Sequence, residues 1–546
     1  MAADLPAGDL DGVEPTIVDH VFRLQPGLAV GLGVHRYDGV VPDLATEATG
    51  RWELDADRLL RELASIGEGS LPEGRRVDRF LLRLLLESLL FDLRESRELE
   101  RNPMTYVGGI SLTPYMVREY APAAERVGAM LRTLASVPKL LEDGRARLRP
   151  PLPKPFVELS ISIGRGLPAH LAEAEAFAAG AGRGPAFAEP RAVAEAAVAR
   201  FVAWLQDELP RAVPDFALGP ERFQRLLFVR EGVETPFDEI WRAGTADLAR
   251  NQARLAEIGR EHGTTFSEIL ARMGADHPPA AGVILTAQEF VDEALAFVRA
   301  HDLVTVPEPL SVRVEETPLW ARALSTASMN SPGPFDSGPE GVYYVTPVDP
   351  AWSPVQQEEW LRSLNRPMLR NITVHEVFPG HYLQFLHLRA AGGSLVRRVY
   401  LSSSFVEGWA HYAEQLAIES GLGAPAPEAE VAQLHDALLR DCRLLASIGL
   451  HADGWPLERA TRLFETGAHM DRLPAEREAI RGTYNPEYFC YTLGKLAILR
   501  ARDRFLASAY GGSRKAFHDA VLRLGAPPVG LLDSLLGRPP SRGAAG

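Results

Sequence analysis

The sequence predicts a mostly α-helical protein with one small β-sheet. Three observations carry that expectation. Apolar residues recur at three- and four-residue intervals from Asp55 to about residue 300, the period of an amphipathic helix. The joints between these stretches are short and rich in Pro and Gly, which favours helix packed on helix over alternating β-α units. Only residues 303 to about 350 change texture, to short alternating runs. With 546 residues, 46% of them hydrophobic, the chain can build one large domain or two to three lobes around a substantial core.

Taken in order, residues 1 to about 50 mix Pro, Gly and Asp with short apolar runs, so irregular structure is expected, with a short helix near Ile17–Leu24. Leu59, Leu60, Leu63 and Ile66, then Phe80, Leu81, Leu84, Leu85, Leu89 and Leu90, mark helical faces. Asn102-Pro-Met-Thr-Tyr106 is a break, Tyr120–Leu141 a helix, and Arg149-Pro-Pro-Leu-Pro-Lys-Pro155 a joint. Pro168–Ala179 and Pro190–Leu209 are Ala-rich helices that each open on a proline, and Gly219-Pro220 opens another. Pro236–Ile258, Thr265–Met273 and Thr286–His301 follow. Leu310–Glu315 and Gly341–Pro347 alternate like strands around the Gly/Pro-rich loop Ser331–Gly341. This small sheet with a mobile loop is either a plain surface hairpin or an edge that pairs with an extended peptide. Ser353-Pro354 restarts the helices. The tail from Gly537 has the composition of a disordered segment.

The net charge is −14 and no block of five basic residues occurs, so nucleic acid is not an expected partner. The first residues carry no basic segment followed by an apolar run. No apolar stretch approaches the roughly 18 to 20 residues that span a bilayer. Cys442 and Cys490 are the only cysteines, which excludes a disulfide framework. A cytoplasmic chain without membrane contact is expected; the oligomeric state is not readable.

The chemistry concentrates in Thr373-Val-His-Glu-Val-Phe-Pro-Gly-His-Tyr-Leu-Gln384 and Phe405-Val-Glu-Gly-Trp-Ala-His-Tyr-Ala-Glu414. A zinc-peptidase helix usually carries two His at i and i+4 with Glu between them. Here position i+4 from His375 is Pro379, and the next His is His381. Six residues turn a regular helix by roughly 600°, which leaves His381 about 120° off the face of His375. Pro379 and Gly380 can kink or bulge the helix, and a two-residue bulge there would return His381 to the ligand position. The third ligand should be a carboxylate from a second helix. Glu407, His411 and Glu414 fall at i, i+4 and i+7 on one face. Glu407 is the expected ligand and His411 a spare. Glu414 would hold the tautomer of a ligand His, and Gln384 would contact substrate or support the site. One Zn²⁺ held by His375, His381 and Glu407 keeps a position for water and lowers its pKa towards about 7. Glu376 then takes the proton as a carbonyl is attacked and passes it to the leaving amine. Tyr484, Tyr488 and Tyr491 share one face of a helix that Asn485-Pro486 starts. They serve either as oxyanion donors and substrate contacts or as hydrogen-bonded core.

These two blocks, with Leu450-His-Ala-Asp-Gly-Trp455 and Tyr491-Thr-Leu-Gly-Lys495, resemble the bacterial family known as domain of unknown function 885. The looser likeness runs from near Asp55 to about Leu506. That family is in turn similar to the thimet oligopeptidase-like gluzincins. The resemblance implies a two-lobed helical metallopeptidase with a deep cleft, a ligand Glu in a Phe-Val-Glu context as at Glu407, and substrate-facing tyrosines spaced as Tyr484, Tyr488 and Tyr491 are. It also raises the case for a site role for His451, which otherwise reads as a capping or packing histidine; His387 and His469 read as structural. The chain departs from the pattern at the expanded motif, at Tyr382 where the family has His, and in lacking a His just ahead of Tyr484.

The expected organisation is therefore an N-terminal helical lobe (1–155), a lobe continuing the body (156–302) and a zinc-binding catalytic region (303–546). The last would contain the sheet (303–350), the metal helices (366–420) and the tyrosine helix (483–503), all within one continuous two-lobed domain. The expected function is a zinc-dependent metallopeptidase acting on short peptides or small amide-containing substrates. A specialised amide or ester hydrolase in small-molecule biosynthesis uses the same centre, and an inactive metal-stabilised helical scaffold is the reading from another class. A carboxylate-bridged di-iron bundle needs two Glu-x-x-His pairs, and the sequence has none in place.

Overall fold

The structure is a computed structural model, and it describes residues 9–319, 322, 325–508 and 512–536. The tail from Gly537 lies outside the described residues. The chain is mostly helical with one three-stranded sheet. It packs as two compact units. The first holds the residues up to Leu218 with Gly333–Ser337 and Ser394–Val399. The second holds Gly219–Pro332, Gly338–Gly393 and the residues from Tyr400 onward. By packing, the boundary falls at Gly219. The Pro-rich joint at 149–155 instead turns one helix into the next inside the first unit.

The first unit is built on α1 (Leu10–Leu24), α2 (Thr46–Ser65), α3 (Glu73–Leu90), α4 (Ala123–Arg147), α5 (Lys154–Gly180) and α6 (Gly184–Glu208). α1 is longer than the sequence predicts because Pro15 sits in its second turn without ending it. Pro168 and Pro190 also lie inside helices, not at their starts. The prolines that open α5 and α6 are Pro155 and Pro185. Packing overrides the interior prolines: a Cβ on Gly164 would fall 2.4 Å from Val202, so the two helices touch there, and Leu171, Ala174 and Ala178 are fully buried. The Gly/Pro-rich loop, expected to be mobile, is tied into this unit. Phe335 N–H donates to Leu32 O at 3.0 Å, and the Arg398 guanidinium lies 4.0 Å from the Phe335 ring.

The second unit runs through α7 (Pro220–Glu231), α8 (Phe237–Glu261), α9 (Phe266–Ala275) and α10 (Val283–Ala300) to the sheet. β1 (Ser311–Glu316), β2 (Ala327–Asn330) and β3 (Glu340–Val345) stand in the order β1-β3-β2. β1 runs parallel to β3 and β2 antiparallel to it. The two strands visible in the sequence are thus parallel neighbours and not a hairpin. The missed strand β2 is four residues long and lacks β-branched residues. β3 is buried along Gly341–Val345, and the Tyr343 hydroxyl meets Thr373 Oγ1 at 3.2 Å. Next come α11 (Pro354–Ser363), α12 (Arg366–Glu376), α13 (His381–Ala390), α14 (Ser403–Glu419), α15 (Pro427–His451), α16 (Leu457–Gly467), α17 (Arg472–Tyr484), α18 (Cys490–Ala507) and α19 (Arg514–Leu522). α14 and α18 meet at two glycines. A Cβ on Gly408 would fall 2.4 Å from Gly494 Cα, and one on Gly494 would fall 1.7 Å from Ser404 O.

Candidate metal centre

α12 opens on Asn365, whose side chain accepts from Met368 N–H at 3.0 Å, and ends at Glu376. The bulge the sequence predicts is a full break. Val377–Gly380 leave the helix, and His381 begins α13. Three bonds close the break. Gly380 N–H donates to Val374 O, Leu383 N–H to Val377 O, and Gln384 N–H to Gly380 O, at 3.1, 3.2 and 3.1 Å. Glycine is required at 380 because a Cβ there would fall 1.8 Å from His375 O. The break carries the two imidazoles face to edge, with ring centroids 4.7 Å apart at 87°.

Glu407 comes from α14, which Ser402 caps by accepting from Phe405 N–H at 2.9 Å. Glu407 Oε2 lies 3.5 Å from His375 Nε2 and 3.6 Å from His381 Nε2. One ligand atom from each of the three residues falls within 4.8 Å of the others. Ligands at about 2.0 to 2.1 Å from a tetrahedral zinc stand about 3.3 Å apart, so the donor set fits that ion after small adjustments. The two His side chains are 8% and 11% exposed and Glu407 27%, so solvent reaches the centre on the Glu407 side.

His375 Nδ1 meets Glu414 Oε1 at 2.6 Å. An ionised carboxylate only accepts, so Nδ1 donates to Glu414 and Nε2 is the nitrogen left to face a metal. Glu414 is itself fully buried. It accepts from Arg440 at 2.8 Å and Asn371 at 3.3 Å. Burial alone would raise its pKa. The Arg440 charge and the hydrogen bond from His375 outweigh burial and hold it well below the usual carboxylate range. Glu407 is likewise held low against burial by the neighbouring imidazoles of His375 and His381. Burial opposes the His375 cation, but Glu407 and Glu414 raise its pKa to about 9. Glu376 is raised by burial, with the neighbouring His375 and His381 charges opposing.

His411 faces Arg440, which donates to its Nδ1 at 3.2 Å; burial and the Lys495 charge lower its pKa to about 3, so it is neutral. Gln384 is 1% exposed, and neither of its amide atoms has a partner among the described residues. His381 Nδ1 is likewise buried without one. His451 is bonded through Nε2 to Gly482 O at 2.8 Å and lies parallel to Phe223. The tyrosines do not share one helix. Tyr484 ends α17, Tyr488 lies in the 3-10 turn Pro486–Phe489, and Tyr491 begins α18. Asn485-Pro486 separates the helices because Pro486 cannot continue the hydrogen-bond ladder of α17. Tyr488 is fully buried and donates its hydroxyl to Glu478. Tyr491 is half-buried; burial and then the Glu407 carboxylate push its pKa up, so it keeps its proton beside the centre.

Residues 26–536 match the family described as bacterial protein of unknown function (DUF885). The chain belongs to that family. No curated protein matches the sequence. Two solved structures share the fold of this DUF885 chain. One is a candidate lipoprotein of unknown function from Shewanella oneidensis, 22% identical, with a TM-score of 0.79 over 97% of this chain and 100% of that one. The other is a candidate lipoprotein from Colwellia psychrerythraea, 17% identical, with a TM-score of 0.81 over 97% and 98%. Among the described residues of this chain, no helix is long and apolar enough to cross a membrane.

In this DUF885 chain the quoted motifs hold one another in place. Trp409 of the Glu-Gly-Trp block donates its indole N–H to Pro379 O at 2.8 Å, pinning the break between the His ligands. Gly408 and Gly494 allow α14 and α18 to touch, and the Glu407 charge reaches the Tyr491 phenol at the start of α18. Thr492 and Lys495 bond to Asp441 and Asp247 at 2.9 and 2.6 Å. Gly449 makes room for the Trp455 ring, and the Trp455 backbone N–H donates to Gly449 O at 2.8 Å. Tyr382 fills the position where the likeness predicts His. Its hydroxyl accepts from Ser311 N–H and donates to Pro339 O, at 2.8 and 3.0 Å, binding α13 to the sheet. Sequence reasoning missed Arg440 and Asn371. Arg440 had a signal: with Asp441 and Arg443 it interrupts the apolar run from Ala437 to Ala446.

Proposed function

We propose that the chain is a zinc-dependent hydrolase of the gluzincin type, cleaving peptide or amide bonds in short substrates. The observation that carries this reading is the convergence of His375 Nε2, His381 Nε2 and one Glu407 oxygen at spacings suited to one tetrahedral zinc. Glu376, next to His375, has no place in that donor set, which leaves it for proton transfer. Bound there, zinc would supply an acidic water and polarise the substrate carbonyl. Glu376 accepts the water's proton and delivers it to the leaving nitrogen; burial raises its carboxyl pKa, which favours its taking up a proton. Tyr491 keeps its proton and donates to the developing oxyanion. Tyr484 is left for substrate contact, and Tyr488 holds the turn through Glu478. The two-lobed thimet oligopeptidase-like fold with a deep cleft belongs to this proposal, as does a cytoplasmic location.

Elemental analysis of the purified protein beside His375→Ala, Glu407→Ala and Glu376→Gln tests it, together with turnover of a quenched peptide library. The expected result is about one zinc per chain in the wild type and in Glu376→Gln, loss of zinc in both ligand variants, and turnover only in the wild type. No zinc after supply of the metal would overturn the centre. Equal turnover in Glu376→Gln would overturn its role as base.

A further inference from the structure

Beside the candidate centre, guanidinium and phenol groups alternate in a ladder. Arg440 Cζ lies 5.8 Å from the Tyr491 ring centroid. Arg443 Cζ lies 5.3 Å from Tyr491 and 4.9 Å from Tyr488. Arg481 Cζ lies 5.1 Å from Tyr488. The ladder starts at the centre itself, because Arg440 bonds to Glu414 and Glu414 to His375.

The three arginines differ in one respect. Arg440 has Glu414 at 2.8 Å, and Arg443 has both oxygens of Glu478 at 2.9 Å. Arg481 pairs with no carboxylate among the described residues. Its platform is fixed, since Tyr488 is fully buried and its hydroxyl is held by Glu478. Stacking on a ring face orients a guanidinium and leaves its edge of N–H donors open. That edge matches a carboxylate with two parallel hydrogen bonds. Arg481, Tyr484 and Tyr491 are all half-buried, so the end of the ladder is reached from solvent. With its two neighbours neutralised, Arg481 supplies the uncompensated positive charge.

We propose that Arg481 binds a carboxylate of the substrate, and that the centre therefore takes short peptides bearing a carboxylate within a few residues of the bond cleaved. An extended peptide advances about 3.4 Å per residue, so such a substrate can engage the metal ligands and Arg481 together. The carboxylate is the free C-terminus or an acidic side chain close to it. The inference rests on the hydrolase reading above.

The test uses zinc-loaded protein and three N-acetylated tetrapeptides: one with a free C-terminus, its C-terminal amide, and the amide with Glu as last residue. The wild type is expected to prefer a carboxylate-bearing peptide over the plain amide by about 10- to 100-fold in kcat/KM, the range for a hydrogen bond to a charged group. In Arg481→Gln that ratio falls to about one at unchanged zinc content and melting temperature, and Arg481→Lys keeps part of it. Preference for the first peptide alone assigns the C-terminus; preference for the first and third assigns either source. Equal kcat/KM on all three in the wild type, or an equal loss on all three in Arg481→Gln, overturns the inference. If zinc-loaded wild type cleaves none of the three, calorimetric binding of the same peptides to wild type and Arg481→Gln decides separately. Carboxylate-selective binding lost in the variant supports Arg481 even as the hydrolase reading fails, and unselective binding or none discards both.

Discussion

Glu414 is completely buried, and His375, Arg440 and Asn371 all converge on it. A buried carboxylate in that position is tolerated only because it is paired, and its pairing orients His375 in the candidate centre. Arg440 then acts on the centre through Glu414. Glu414→Gln should weaken zinc affinity by about 10- to 100-fold, the usual effect of losing such a partner, as measured by competition with a chelator. Arg440→Gln should weaken it as well, and adding it to Glu414→Gln should cost little more, since residues acting through one network are not additive. Fully additive losses would show that Arg440 acts on something else. Glu414 was readable from its i+7 position after Glu407. Arg440 shows in the sequence only as a charge inside an apolar run; its pairing does not, because its partner lies 26 residues away on another helix and no local period links the two.

At the level of elements, two helix contacts and one helix break position the site. The break at Val377–Gly380 was legible because a Pro-Gly pair can do little else inside a helix. Its form as two separate helices, with Trp409 bonded to Pro379 O, depended on α14. The contact between α14 and α18 depends on glycine at 408 and 494. Gly494→Ala puts a Cβ 1.7 Å from Ser404 O, and alanine has no rotamer that avoids it. Separating the helices should cost about 1 to 3 kcal/mol, read as a lower melting temperature. Gly166→Ala is the control: it lies within α5 and its Cβ meets nothing within 4 Å, so it should be neutral or slightly stabilising. Equal effects from the two substitutions would refute the close-contact account. Helix starts were misread at Pro168 and Pro190 because proline's preference for a first turn is local, whereas Gly164 against Val202 is a contact between helices.

At the scale of the whole molecule, His375, His381, Glu407, Glu414 and Arg440 all belong to the second unit. A metal that binds only the folded state stabilises what holds it, by about 2.7 kcal/mol at a hundredfold excess over Kd. Removing zinc with a chelator should therefore raise amide hydrogen exchange across α12, α13 and α14 and leave α4 to α6 of the first unit unchanged; a uniform rise would contradict this. The sequence by itself determined the helical class, the place of the small sheet and the three residues, His375, His381 and Glu407, that converge at the candidate centre. Each of these is local: a hydrophobic period, a change of texture, or side chains whose chemistry shows in their spacing. Only the tertiary structure decided that β1 runs parallel to β3, that the three tyrosines stand on three different elements, that the units divide at Gly219, and that Arg440, Arg443 and Arg481 stack with Tyr491 and Tyr488. Those outcomes rest on contacts between residues far apart in the chain. Such contacts are selected by packing and buried charge pairing, and neither leaves a period in the sequence.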